Sequence, residues 1–169
     1  LKDGVKKEYA SPVSCKDIAA DISEGLARAA VCAKVDGKLV DLAHVVESDA
    51  AVEIVTLKDK EGLDVYRHTT AHVLAQAVKA IFPTSKLAIG PTIDNGFYYD
   101  IDFQTPITQD DLSKIEAEMK NIIKSNLPVE RFTLPRNDAI KLMTKFSEKY
   151  KVALIKDLPE GEEISFYKQ

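Results

Sequence analysis

The sequence predicts two successive α+β units, and three observations carry that reading. Residues 1–58 set short β-branched runs against Asp-Gly turns, with an amphipathic helix among them. Lys58-Asp59-Lys60-Glu61-Gly62 is a charged junction closed by glycine, the expected boundary. From 63 to 169, helical periodicity alternates with short extended segments.

In the first unit, Asp3-Gly4 tolerates the positive φ angles of a type I′ turn, so Lys2–Val5 is expected to turn and Val5–Tyr9 to form a strand. Only Leu1 and Lys2 precede that turn and no Met opens the chain, so an earlier strand is expected to belong to a longer protein. Ser14-Cys15-Lys16-Asp17 resembles a capping box and opens a helix through Ile18 and Ile22. Gly25 is expected to interrupt it before a helical piece at Leu26–Ala30. Cys32–Val35 and Leu39–Leu42 flank Asp36-Gly37 as a second hairpin, and Val52–Leu57 closes the unit as a strand.

The second unit opens with a helix at 66–82, stopped by Pro83. Leu87–Ile89 reads as a strand, Gly90-Pro91 as a turn and Phe97–Phe103 as a second strand. Thr108-Gln109-Asp110-Asp111 caps a helix whose apolar stripe is Leu112, Ile115, Met119, Ile122 and Ile123. After Pro128, Val129–Leu134 is extended, and Asn137 caps a helix carrying Ile140, Met143 and Phe146. Tyr150–Ile155 reads as a strand, and Pro159-Glu160-Gly161 turns into a last strand at Ile164–Tyr167. Together these predict helices covering a mainly antiparallel sheet.

The composition, 45% hydrophobic and 30% charged over 169 residues, is that of a soluble globular protein. No apolar run approaches the ~20 residues of a membrane span, and no secretory signal opens the chain, so no membrane partner and a cytoplasmic location are expected. Cys15 and Cys32 have no metal-ligand spacing and read as reduced, small hydrophobes. The net charge of −4 argues against an autonomous nucleic-acid module, which is usually basic. If RNA is a partner, a local patch or other parts of the protein must neutralise its phosphates.

Three places carry candidate chemistry. His68 and His72 stand four residues apart in a helical pattern, which puts both rings on one face, about 6 Å apart along the axis. The apolar residues Ala71, Leu74, Ala77, Val78 and Ile81 centre on the opposite side, so the histidines look toward a polar surface or cleft. There they can hold a water, a metal or a substrate oxygen. A zinc hydrolase is disfavoured: Thr69 stands where the general-base Glu of the His-Glu-x-x-His pattern would be, and the third histidine, His44, lies in the first unit. No metal site is therefore expected. In Gly90-Pro91-Thr92-Ile93-Asp94-Asn95-Gly96-Phe97-Tyr98-Tyr99-Asp100, Asn95-Gly96 forces a turn. Tyr98 and Tyr99 point to opposite strand faces, either as ordinary strand aromatics or with one hydroxyl offered to a cleft. Lys151, flanked by apolar residues, is either an edge-strand lysine that snorkels to water or an inward ammonium that needs an anion.

The order of strands, helix and Asp-Gly turns in residues 1–58 resembles the TGS domain, a ubiquitin-like β-grasp module. Arg67-His68-Thr69-Thr70-Ala71-His72, then Ala88–Asp100, then Tyr150-Lys151-Val152, resemble the editing domain of bacterial-type threonyl-tRNA synthetases, which follows a TGS module in that family. The resemblance implies hydrolysis of serine wrongly attached to threonine's tRNA. Serine lacks one methyl of threonine, worth only about 1–3 kcal/mol in a pocket, so a second, smaller site must multiply the discrimination. It also implies that His68 and His72 position the hydrolytic water and terminal ribose hydroxyls. Lys151 would bind the aminoacyl group or stabilise charge on the ester oxygen, and Tyr99 would shape the pocket. Implied partners are the threonine-accepting tRNA and its aminoacylated 3′ end. The family's ATP, magnesium and zinc sites and its homodimer contacts belong to domains outside these residues, so no cofactor is expected here. A Cys-x-x-x-His element expected shortly after the last strand is absent, so the resemblance implies an N-terminal fragment with an incomplete editing site. The alternative is an accessory module that grips tRNA or protein without catalysis.

Overall fold

The computed structural model describes residues 4, 6–10 and 12–168. Two compact units divide between Thr69 and Thr70.

In the first unit, β1 (Val13–Ser14) leads directly into α1 (Cys15–Ile22). Ser14 caps α1 by accepting the Asp17 amide at 3.1 Å, as the Ser-x-x-Asp spacing predicts. The helix breaks at Ser23, which caps α2 (Glu24–Ala29) through the Leu26 amide at 3.0 Å. Gly25, expected to be the break, lies inside α2. A serine hydroxyl that satisfies the next helix's first amides ends one helix and starts another more effectively than glycine's freedom does.

β2 (Ala30–Val35) then pairs antiparallel with β3 (Lys38–Val40) and β5 (Val52–Thr56). Asp36 and Gly37, with φ of 49° and 80°, make the tight turn between β2 and β3 that Asp-Gly predicts. β4 (Val45–Val46) pairs with β1. Cys15, Ile18, Ala33 and Val52 form the core between helix and sheet. The expected turn at Lys2–Val5 lies outside the described residues except for Gly4, and residues 6–9 of the expected strand are irregular.

The helix expected at 66–82 begins six residues earlier, as α3 (Lys60–Ile81). The Asp59 carboxylate folds back onto the Thr56 amide at 2.8 Å and its hydroxyl at 3.0 Å, while its carbonyl accepts the Leu63 amide. Gly62 makes that entry possible, because a Cβ there would collide with the Thr56 carbonyl. The charged junction is thus the first turn of a helix.

The second unit is described from Thr70 onward. Val73, Ala77 and Val78 of α3 pack with Ile115 and Ile122 of α4 (Gln109–Ser125). Thr108 and Asp111 form a complete capping box for α4. Two members of its predicted stripe, Leu112 and Ile123, are exposed, so the helix buries a narrower face than its sequence offers. Every strand pairing is antiparallel, in separate two-stranded ladders: β6 (Lys86–Leu87) with β9 (Ile101–Asp102), β7 (Thr92–Ile93) with β8 (Gly96–Phe97), and β10 (Glu130–Leu134) with β11 (Ile164–Lys168). The single strand expected at Phe97–Phe103 is therefore split, and neither Tyr98 nor Tyr99 lies in a strand. Asp94 and Asn95 form the two-residue loop between β7 and β8.

The largest correction concerns Tyr150–Ile155, which is helical. α5 (Arg136–Lys145) ends in Phe146 and Ser147, and α6 (Lys149–Asp157) follows at once. Ser147 has φ of 58°, its amide donates to the Thr144 carbonyl, and the Glu148 amide donates to Met143. That is a Schellman ending, which reverses the chain straight into a new helix. A four-residue apolar run, Val152–Ile155, cannot by its own periodicity tell strand from helix. Arg136 holds the far end of α6, donating to the carbonyls of Ile155, Lys156, Leu158 and Pro159 at 2.6–3.2 Å. Ala139, Ile155 and Ile164 form the core beneath.

Candidate functional site

Lys151 and Tyr99 meet in the second unit. The Lys151 ammonium donates to the Tyr99 hydroxyl at 3.3 Å and lies 5.5 Å from the centre of its ring. Lys151 reaches this place from the first turn of a helix and not from a strand edge. On the helix it stands one turn before the buried Ile155.

Three consecutive side chains set that turn. The Glu148 carboxylate receives Lys79 at 2.8 Å and the Leu87 amide at 3.2 Å. Lys149 lies 3.1 Å from Asp102, and the Tyr150 hydroxyl donates to the same carboxylate at 2.8 Å. Lys151 therefore emerges from a segment tied to α3, β6 and β9.

Tyr99 is placed by a glycine. A Cβ at Gly90 would fall inside the Tyr99 ring, so ring and backbone stack at a distance no other residue permits. The extended pairing of β6 with β9 continues past its ends: the Ala88 amide donates to Asp100 and the Asp100 amide to Ile89. This fixes the chain on either side of Tyr99. Tyr98 is 44% exposed while Tyr99 is half-buried, so the two tyrosines do part to opposite sides, as expected, although from a loop.

Burial pushes the Lys151 ammonium below its ordinary pKa, and the charge of Glu148 opposes that push. Burial raises the Tyr99 phenol, with the Glu148 charge adding to it. Tyr99 is thus a neutral donor and acceptor beside a cation held against desolvation, an arrangement suited to an oxyanion or ester oxygen.

His72 lies on the exposed side of α3, and its ring stands 5.2 Å from that of Tyr167 on β11, tilted by 48°. His68 is exposed one turn earlier in the same helix. The predicted apolar side is buried at Ala71, Ala77 and Val78, but Val73 and Ala75, outside the predicted stripe, are buried as well, so the helix buries a broader face than its pattern suggests. Lys79 pairs with Glu148 at 2.8 Å. Among the described residues, no three His, Cys, Asp or Glu side chains converge where they could hold a metal ion. No helix among them is long and apolar enough to cross a membrane.

Sequence reasoning missed Glu148, Lys79 and Tyr167. Glu148 and Lys79 lie 69 residues apart, and nothing local marks Glu148 as buried or Lys79 as its partner. Tyr167 ends the last expected strand, and strand spacing alone does not bring it to His72.

The fold and the sequence define a class. Residues 1–56 match the TGS domain, and a second α+β unit bearing the cluster just described follows them. Along its whole length the chain is similar to proteins named threonine–tRNA ligase. It is 56% identical over 169 residues to that of Clostridioides difficile, 55% to that of Acetivibrio thermocellus and 47% to that of Marinobacter nauticus. All of this chain is covered in each case, and 26–27% of each relative, so the chain spans about a quarter of the length of the curated relatives it matches.

Proposed function

We propose that this chain serves a threonine–tRNA ligase, with the second unit acting in removal of serine from tRNA mischarged with it. The observation that carries the reading is the half-buried Lys151 ammonium fixed on the Tyr99 hydroxyl, a charge kept in a costly place. Hydrolysis of an aminoacyl ester puts negative charge on the carbonyl oxygen as water attacks, and an ammonium already desolvated stabilises that charge more than one in water. Lys151 supplies this cation and Tyr99 shapes the wall beside it. His72 orients water and the ribose hydroxyls at the tRNA end, a task the family resemblance gives to His68 as well. The attacking water gives up its proton, and the departing ribose oxygen takes one. No metal or cofactor is assigned to these residues. The partner is tRNA, with its phosphates held largely by other parts of the protein, because the chain carries a net charge of −4. Attachment of threonine with ATP is proposed for a protein of the relatives' full length.

The test is a titration of the isotope-labelled chain with an amide-linked seryl-adenosine, which mimics the mischarged end and resists hydrolysis. Resonances of His72, Tyr99 and Lys151 are expected to shift, more weakly with the threonyl analogue. Shifts confined to residues 4–58, or none at millimolar analogue, would contradict the assignment.

A further inference from the structure

Glu148 is the buried acid of the second unit, its side chain 9% exposed. The Schellman turn at Phe146–Ser147 delivers it to the N-cap position of α6, where its side chain makes no capping hydrogen bond and turns instead to other elements. Its Oε1 accepts Lys79 and its Oε2 accepts the Leu87 amide. Lys79 is itself fully engaged. Its ammonium also donates to the carbonyls of Pro83 at 3.0 Å and Ser85 at 2.9 Å, beyond the end of α3. The buried Ser85 closes the same loop by donating its hydroxyl to Phe82 at 2.7 Å. Among the described residues no buried side-chain nitrogen or oxygen lacks a partner, so this network is complete.

A complete ion pair of this kind is not needed for burial, since apolar residues would fill the place at less cost. It does one thing that apolar packing cannot. It places a fixed negative charge three residues before Lys151, at the N-cap of the helix that carries it.

We propose that Glu148 is a positioning residue for Lys151: locked by Lys79 and the Leu87 amide, it anchors the first turn of α6 and so fixes the Lys151 ammonium on the Tyr99 hydroxyl. The charged and titratable groups at Lys151 are Glu148 from the N-cap of its helix and Tyr99 from the segment between β8 and β9. Lys79 of α3 acts through Glu148, and Asp102 of β9 is taken up by Lys149 and Tyr150. The Glu148 charge holds the ammonium protonated against the pull of burial. That the fixed ammonium serves ester hydrolysis rests on the function proposed above. The positioning itself does not.

The experiment follows the Lys151 Cε resonance of the whole chain against pH, assigned by its disappearance in Lys151→Met. Glu148→Gln keeps the shape and the acceptors but removes the charge. It is expected to lower the Lys151 midpoint, by on the order of one pH unit. Lys79→Met frees the carboxylate and is expected to move the midpoint upward. An unchanged midpoint in a folded Glu148→Gln protein overturns the proposal, and if that variant does not fold, an unchanged midpoint in Lys79→Met does so. A second arm measures seryl-tRNA hydrolysis by a chimera in which this chain replaces the matching quarter of the Clostridioides difficile relative. Glu148→Gln is expected to lower kcat at least tenfold with KM nearly unchanged. If Lys151→Met itself leaves hydrolysis unchanged while the midpoints still move, the editing role falls and the positioning stands.

Discussion

A lysine held half out of water lowers stability unless something returns the lost hydration, and Lys151 is in that position. Its folded-state pKa lies below the unfolded value of about 10.4. Unfolding therefore takes up a proton between those two values, and stability rises with pH across that window. Lys151→Met is expected to be more stable than wild type at neutral pH, with the two converging as pH approaches 10. Tyr99, raised by burial, adds the opposite slope above about pH 10 to both proteins and cancels in the comparison. Urea unfolding at a series of pH values measures the difference, and parallel curves would contradict it. Gly90 gives a second residue-scale prediction. Gly90→Ala must displace the Tyr99 ring, at an expected cost of about 1–3 kcal/mol and with loss of the Lys151–Tyr99 contact. A native Tyr99 ring spectrum in the variant would show that the ring is not held there.

At the scale of elements, the capping box of α4 is the most exposed to test. Thr108→Ala is expected to cost about 1 kcal/mol of stability in chemical unfolding. Asp111, held down to about 2 by Lys114 and by the amide and hydroxyl of Thr108, stabilises above the ordinary carboxylate range. Its contribution is lost as pH falls toward 2, so the Thr108→Ala difference should shrink in acid. This cap was legible because its chemistry is local: four residues contain both partners. The same holds for Ser14 with Asp17 and for the Asp36-Gly37 turn. α6 was not legible. Val152–Ile155 has no period long enough to choose, and what chooses is the αL residue Ser147 and the grip of Arg136 on carbonyls about 20 residues away. The early start of α3 was hidden for a similar reason, since Gly62 looks like a linker until the Thr56 carbonyl is seen above it.

For the molecule as a whole, two successive α+β units could be read from the chain, but they divide between Thr69 and Thr70 and not at the expected 58–62 junction, and Lys151 stands on a helix where a strand was expected. The polar network that holds Lys151 could not be read, because Glu148, Lys79 and Leu87 come together only through tertiary folding. The central claim is that Lys151, fixed on Tyr99, acts on a mischarged aminoacyl ester. It is tested most directly in the chimera carrying this chain in the Clostridioides difficile relative, by the release of serine and threonine from their tRNA esters. The account predicts release of serine with threonine spared, and a roughly 10²–10⁴-fold slower release of serine in Lys151→Ala, the range typical of groups acting at the reacting atoms. Equal rates of serine release from the Lys151→Ala chimera and its parent would contradict it.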